Sequence, residues 1–231
     1  MKEMQVFGIA LKDYPVRESM RMVDAFLQEA KVNTVVFLSL EDLMKAGEDE
    51  ELREDLLSVD LTVPISEEIL QAAGIAGRGR IAEVREGALY KALLKKLSSE
   101  KRSAFILAQN GEHAEALVAH LALEAPGLSV LGHYAFEELE GDPEVVVNEI
   151  NSTFPDIIFS NLPFREQARF LRDHNTKLNA RLWVALRDEM MNADKNQTPG
   201  IGRLRQWIRS KMFLHRVSRF LTGKDQKGEN S

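Results

Sequence analysis

Short apolar runs alternate with longer amphipathic stretches from the start of the chain to residue 186. Buried parallel strands are typically apolar throughout, whereas helices carry apolar residues at spacings of three and four. The alternation therefore predicts an α/β fold with a mostly parallel sheet and crossover helices. The predicted strands are Val6–Ile9, Thr34–Leu38, Val59–Val63, Ala104–Ala108, Leu128–Leu131, Asp156–Phe159 and Leu182–Leu186.

The stretches between these runs have the periodicity of helices. Apolar residues three and four apart predict two buried helix faces, and the pattern predicts further helices over 112–124, 142–152 and 165–176. Asp142-Pro143 is typical of a helix start, because aspartate caps and proline suits the first helical position. The two faces comprise Met20, Val23, Phe26 and Leu27, and Leu89, Ala92, Leu93 and Leu97.

Glycine and proline mark the predicted boundaries. The glycine-rich stretch 74–80 is typical of a mobile surface loop, and 192–202, with Pro199-Gly200, is typical of a linker. We therefore predict an α/β domain over 1–191, a linker over 192–202, a basic amphipathic appendage over 203–224 and a disordered tail over 225–231.

Composition narrows the possible chemistry. The chain has 231 residues, 44% hydrophobic and 29% charged, which is ordinary for a globular protein. The absence of cysteine excludes disulfides, thiolate zinc sites and a cysteine nucleophile. Because the five histidines lack metal-ligand spacing, we expect no metal and no cofactor. No apolar run reaches signal-peptide or membrane-spanning length, so we expect a cytoplasmic location.

The net charge of −6 is unevenly distributed. From Arg203 onward eight Lys/Arg and two Asp/Glu give +6, which leaves −12 on the first 202 residues. Nucleic-acid binding needs an extensive basic face, so the acidic body makes a nucleic-acid partner unexpected.

The basic tail has the pattern of an amphipathic helix. Over 203–221, arginines fall on one side and apolar residues on the other. An anionic membrane interface would suit this pattern, although a helix packed on its own domain or on a partner would share it. The predicted contact residues are Arg205, Trp207, Arg209, Arg216 and Arg219.

Several short segments agree in order and spacing with those of a known enzyme family. They are 51–54, 59–64, 105–107, 126–128, 149–151, 155–158, 167–171, His174 and Pro199, before a basic aromatic C-terminus. Together they resemble the WecG/TagA/CpsF glycosyltransferases over about residues 4 to 221. The resemblance implies a Rossmann-like fold with a C-terminal appendage. It also implies transfer of an N-acetylhexosamine, typically N-acetylmannosamine, from a UDP-sugar to a polyprenyl-diphosphate-linked acceptor for cell-surface polysaccharide.

The catalytic base of the family is absent from its usual position. The family carries Pro-Asp-Gly where this chain reads Pro64-Ile65-Ser66, and the aliphatic Ile65 cannot accept a proton. Substitutes near the same turns are Glu67, Glu68, Asp188 and Glu189. The first two equally suit the first turn of a helix, where acids favour the dipole.

Other family positions are changed as well. Ser39 stands in the segment matching Thr-Leu-Asn-Pro and equally suits a helix cap, and Gln109-Asn110 follow the strand where the family has two glycines. The family carries a Gly-x-Gly-x-Pro-Lys-Gln-Glu-Lys-Trp stretch that resembles residues 161–170. Without a gap, Gln167 aligns with the family's glutamine, whereas a two-residue gap would align Pro163 and Glu166 instead. The nucleotide-sugar cleft candidates are Ser39, Ser66, Gln109, Asn110, Asn161 and Gln167.

Two main hypotheses about function follow from the resemblance. In the first, the chain is a catalytically impaired or inactive homologue that serves as a binding or assembly module. Its expected partners are a UDP-sugar, an anionic membrane surface at the inner membrane face, and a homo- or hetero-oligomer with an active homologue. In the second, the chain is an active glycosyltransferase with a relocated carboxylate base. A weaker third hypothesis is a regulatory domain that binds another small ligand at the strand ends.

Overall fold

The computed structural model describes residues 2–191 of the chain. The predicted linker 192–202, appendage 203–224 and tail 225–231 lie outside the described residues. The strands are β1 Lys2–Val6, β2 Ile9–Asp13, β3 Asn33–Leu38, β4 Leu61–Pro64, β5 Ser103–Ala108, β6 Ser129–Ala135, β7 Ile157–Ser160 and β8 Leu182–Ala185. The helices are α1 Val16–Phe26, α2 Leu40–Glu48, α3 Glu50–Leu57, α4 Glu67–Ala72, α5 Arg78–Arg85, α6 Ala88–Ser99, α7 Gly111–Glu124, α8 Glu144–Thr153, α9 Phe164–His174 and α10 Asp188–Met191.

Six parallel strands form the main sheet in the order β4-β3-β8-β7-β5-β6. The interior strands β3, β7 and β8 are buried along their whole length, as expected for strands covered on both faces. The edge strand β6 instead alternates between exposed and partly buried residues. The predicted parallel α/β fold is therefore confirmed.

Helices cover both faces of this sheet. On one face, the β1–β2 hairpin, α2, α3, α4, α8 and α9 bury a cluster of apolar side chains against the strands. On the other face lie α1, α6 and α7, which contact one another or the strands. Successive side chains of a strand point to opposite faces, so Phe37 of β3 packs edge-on against Tyr90 of α6, with 5.8 Å between ring centroids.

The predicted strand at Val6–Ile9 is wrong. These residues span the tight turn between β1 and β2, which pair antiparallel with Val6 opposite Ile9. Phe7 and Gly8 have φ angles of 51° and 76°. Two consecutive left-handed residues are typical of a type I′ hairpin turn, so the chain reverses where the apolar run suggested continuity.

The predicted loop at 74–80 is only partly correct. Gly74 has a φ of 68° and ends α4, but α5 begins at Arg78 with Gly77 as its cap residue. The Arg80 side chain lies 2.8 Å from the buried Asp13 carboxylate, which ties the start of α5 to β2. This ion pair gives the glycine-rich stretch a fixed helical end.

The remaining predicted elements are present with shifts of a few residues at their ends. Helix α8 begins after Asp142-Pro143, and the Asp142 carboxylate accepts a hydrogen bond from the Glu144 N–H at 2.9 Å. Among the described residues, no helix combines the length and apolar character needed to cross a bilayer.

Candidate functional site

The connections of the sheet diverge between β5 and β7. Strand β5 leads through α7 to β6 on one side, whereas β7 leads through α9 to β8 on the other side. Right-handed crossovers then place α7 and α9 on opposite faces and open a crevice beyond the carboxyl ends of β5 and β7. Open α/β sheets usually bind their ligands in such a crevice.

Asn161 connects three neighbouring strand ends at this crevice. Its Oδ1 accepts a hydrogen bond from the Gln109 N–H at 3.3 Å, and its Nδ2 donates to Asp188 Oδ1 at 3.4 Å. Asn161 is 7% exposed, whereas Asp188 is exposed and Gln109 is partly buried. The structure therefore brings together three residues that the sequence proposed separately.

Asn110 has a local structural role beside the crevice. It is the N-cap of α7, and its side-chain Oδ1 accepts a hydrogen bond from the His113 N–H at 2.9 Å. The carbonyl oxygen of the Asn110 side chain is therefore occupied by a backbone N–H at the start of the helix.

Ser39 is the N-cap of α2. Its Oγ accepts from the Asp42 N–H at 3.2 Å, while Asp42 Oδ2 accepts from the Ser39 N–H at 2.9 Å. This capping box confirms the interpretation of Ser39 as a cap. It also fixes the Asp42 carboxylate at the carboxyl end of β3.

A nearly buried ion pair links the carboxyl ends of β3 and β8. Arg187 Nε lies 2.9 Å from Asp42 Oδ2, and the two side chains are only 11% and 7% exposed. The guanidinium also lies over the Phe164 ring, 5.9 Å from its centroid. Neither Asp42 nor Arg187 was among the site residues expected from the sequence. The available signal was an arginine two residues after a buried strand.

Ile65, which the resemblance predicts to stand at the family's base position, directly follows the edge strand β4. Ile65 donates its backbone N–H to the Leu38 carbonyl at 3.1 Å, which continues the pairing between β3 and β4. Its side chain offers no group that accepts a proton. Ser66 caps α4 through its backbone only, and its buried Oγ has no hydrogen-bond partner among the described residues.

Glu67 and Glu68 lie in the first turn of α4. Glu67 forms a bidentate ion pair with Arg85 of α5, and this guanidinium holds the pKa of Glu67 below its ordinary value. A carboxylate stabilised in its charged form is a weaker base. Glu68 is partly buried in the same turn.

Gln167 and Glu189 occupy different environments. Gln167 is 1% exposed within α9, and its Oε1 accepts a hydrogen bond from the Trp183 indole N–H at 3.4 Å. Glu189 is exposed in α10, next to Asp188. The role of Gln167 in ligand binding remains a prediction.

A separate groove of about 430 Å³ lies between α3 and α9. Charged side chains line it, among them Asp55, Arg169 and Arg172, and Arg172 forms ion pairs with Glu51 and Asp55. None of the predicted cleft residues borders this groove. Within residues 2–191, no group of three His, Asp or Glu side chains is arranged to hold a metal ion.

Comparison with known proteins identifies the family. A search of curated proteins finds no match to the chain. The model of the Glycosyl transferase WecG/TagA/CpsF family matches residues 4–188, which include every strand of the main sheet and the crevice residues Gln109, Asn161 and Asp188. The chain therefore belongs to the WecG/TagA/CpsF glycosyltransferase family.

Proposed function

We propose that this chain binds a UDP-sugar but has lost most or all of its transfer activity, and that it serves as a binding or assembly module. The observation that carries the proposal is Ile65, which occupies the position of the family's catalytic aspartate. Inverting sugar transfer needs a base to take the proton of the acceptor hydroxyl. A missing general base lowers turnover by about 10²- to 10⁴-fold.

The carboxylates of Glu67 and Asp42 do not restore this base. Glu67 is held by Arg85, and Asp42 is held by Ser39 and Arg187. Arg85 holds the pKa of the Glu67 carboxyl below its ordinary value and so weakens it as a proton acceptor, and Asp42 Oδ2 already accepts two hydrogen bonds from Ser39.

Ligand binding has better support than catalysis. Gln109 and Asn161 are polar residues at the divergence point of the sheet, which is where open α/β sheets usually bind their ligands. The proposed ligand is UDP-N-acetylhexosamine. The proposed location is peripheral at the cytoplasmic membrane, with the appendage 203–224 in contact with anionic lipid and an active homologue as partner.

Asp188 favours a second candidate function, that of an active enzyme with a relocated base. Its carboxylate is exposed at the end of β8 and accepts a hydrogen bond from Asn161 at 3.4 Å. An exposed carboxylate fixed by one amide could take a proton from an acceptor bound over the crevice.

A transfer assay separates the two candidates. Purified full-length protein is supplied with UDP-N-acetylhexosamine and a polyprenyl-diphosphate-linked acceptor, and released UDP is measured. We expect turnover near background in the wild type and no further loss in Glu67→Gln, Asp188→Asn or Glu189→Gln. The matched control is Glu115→Gln, an exposed residue of α7. Robust turnover that Asp188→Asn abolishes, but Glu115→Gln does not, would establish the second function.

Binding is tested independently of turnover. A ligand that binds only the folded state raises the unfolding temperature, and the stabilisation grows with the logarithm of one plus the ratio of free ligand concentration to Kd. We therefore expect UDP-N-acetylhexosamine at millimolar concentration to raise the melting temperature of the wild type. The absence of any shift with UDP or UDP-sugars would overturn the proposed binding role.

A further inference from the structure

Arg187 has more hydrogen-bond donors than its described neighbours can accept. A guanidinium carries five N–H groups. Its Nη1 donates to the Leu162 carbonyl at 3.5 Å, the long limit of a hydrogen bond. Its Nη2 is buried without a partner among the described residues. Buried donors of native proteins are almost always paired, so this group is suited to an acceptor that residues 2–191 do not supply.

Asp42 does not satisfy these donors. Arg187 Nε lies 2.9 Å from Asp42 Oδ2, yet the N–H bond is not aligned for a hydrogen bond. The same oxygen already accepts from the Ser39 N–H at 2.9 Å and from the Ser39 Oγ–H at 2.7 Å. Asp42 therefore neutralises the charge of Arg187 while leaving most of its donors unused.

The position of Arg187 connects it to the proposed cleft. It precedes Asp188, whose carboxylate is bonded to Asn161 at the divergence point of the sheet. The Phe164 ring lies under the Arg187 guanidinium and restricts the directions in which its N–H groups can point. The cation is thus held by β8 and α9 between the ends of β3 and β7.

We propose that Arg187 binds the diphosphate of the ligand, and that Asp42 holds the guanidinium until the diphosphate displaces it. The proposal rests on the nucleotide-sugar binding proposed above. The planar fork of arginine matches paired oxygens of phosphate, and a diphosphate presents them at the separation that two N–H groups reach. On binding, Arg187 turns from Asp42 towards the crevice, and Asp42 keeps its hydrogen bonds with Ser39.

This mechanism gives the two partners opposite effects on anion binding. Removing Arg187 removes the diphosphate ligand group, whereas removing the charge of Asp42 removes its competitor. If the pair had a purely structural role, substitution of either residue would destabilise the fold, and neither substitution would increase the affinity for the anion. The sign of the Asp42 effect is therefore the decisive observation.

The test measures binding of inorganic pyrophosphate, UDP and uridine to the full chain by titration calorimetry. The variants are Arg187→Gln, Arg187→Lys and Asp42→Asn, and Arg17→Gln, an exposed residue of α1, controls for net charge. We expect Arg187→Gln to weaken pyrophosphate and UDP about 10- to 100-fold, the usual range for a charge-assisted hydrogen bond, and to leave uridine unchanged. Asp42→Asn should tighten pyrophosphate and UDP several-fold, and Arg17→Gln should change none of the three.

Each result bears on one proposal separately. Equal affinities of wild type and Arg187→Gln for UDP would overturn the role of Arg187 and leave nucleotide binding intact. Pyrophosphate binding that depends on Arg187, without binding of UDP or uridine, would support the anion site and contradict the nucleotide proposal. No binding of any probe would overturn both. Should Arg187→Gln fail to fold, Arg187→Lys and Asp42→Asn decide, and weaker binding in Asp42→Asn overturns the inference.

Discussion

The Asp156 carboxylate fastens the start of β5 to β7, because its Oδ2 accepts hydrogen bonds from both the backbone N–H and the Oγ–H of Ser103, at 2.9 and 3.0 Å. The same arrangement recurs across the sheet, where Asp60 Oδ2 accepts from the N–H and Oγ–H of Thr34 at 2.8 and 2.9 Å. Each aspartate directly precedes a strand and accepts hydrogen bonds from the first or second residue of the adjacent strand in the sheet. The two contacts set the register at the amino ends of the strands and so position the carboxyl ends that form the site.

The hydrogen bonds of the Asp156 carboxylate predict that the folded protein loses stability in acid. Burial raises the pKa of Asp156, but hydrogen bonds from Ser103 and Arg102 outweigh it and hold the pKa below its ordinary value of 3.8. A pKa lowered by folding contributes stability that is present above the unfolded value and is lost as the pH falls through the folded value. Urea unfolding should show Asp156→Asn less stable than wild type by about 1–3 kcal/mol at pH 7, with the difference shrinking below about pH 4.

The exposed Asp173 of α9 supplies the control for this measurement. Asp173→Asn should change the free energy of unfolding by less than about 0.5 kcal/mol at either pH. A difference between wild type and Asp156→Asn that stays constant from pH 7 to pH 3 would contradict the role of the charged carboxylate.

Ile65→Asp should restore turnover if the missing base is the main defect. The new carboxylate would stand at the end of β4, at the position predicted for the family's base, and a general base contributes about 10²- to 10⁴-fold. Released UDP should therefore rise by at least about 10²-fold over wild type. Ile65→Asn is the matched control, because it has the same shape without a proton acceptor. If folded Ile65→Asp and Ile65→Asn show the same rate, then other changes in the cleft are sufficient to prevent transfer.

Trp183 should be the most costly of the core side chains to remove. It is fully buried in β8, lies 5.7 Å from the Phe170 ring between centroids, and donates its indole N–H to Gln167. Trp183→Ala should lower the free energy of unfolding by about 3–5 kcal/mol, measured by urea titration. Trp183→Phe keeps most of the apolar volume and should lose distinctly less. Equal losses in the two variants would contradict the importance of packing at this position.

Gly127 and Gly79 should respond in opposite directions to alanine. A Cβ on Gly127 would lie 2.2 Å from the Ser98 carbonyl oxygen, whereas a Cβ on Gly79 meets nothing within 4 Å. Gly127→Ala should therefore destabilise by about 1–3 kcal/mol, because backbone must move. Gly79→Ala, in the exposed first turn of α5, should stabilise by up to about 1 kcal/mol. Thermal unfolding of both variants checks the pair, and a stable Gly127→Ala would contradict the close approach of the two segments.

Local patterns identified most of the fold because its strands are buried apolar runs and its helices are amphipathic. The hairpin turn at Phe7-Gly8 was missed, since Phe-Gly is not a typical turn pair and its apolar neighbours resemble a continuous strand. The start of α5 was missed because the ion pair of Arg80 with Asp13 joins distant parts of the chain. Neither the turn nor the ion pair has a recognisable pattern in the local sequence.

The candidate site was predicted less completely for the same reason. Gln109, Asn161 and Asp188 could be proposed because each lies in a segment that resembles a site motif of the family. The pairing of Asp42 with Arg187 depends on which strands are neighbours, and sequence order does not show that β3 lies beside β8. Strand order is decided by the packing of the whole sheet.

The last strand of the main sheet, β8, lies in its middle, between β3 and β7. During synthesis the earlier strands can therefore form only two separate ribbons, β4 with β3 and β7 with β5 and β6, each with an unpaired edge. Insertion of β8 joins them and completes the ends from which Ser39, Asn161 and Asp188 project. The edge of the sheet that carries these residues is therefore completed late in folding, and a nascent chain that stalls before residue 182 leaves two strand edges unpaired and open to incorrect pairing.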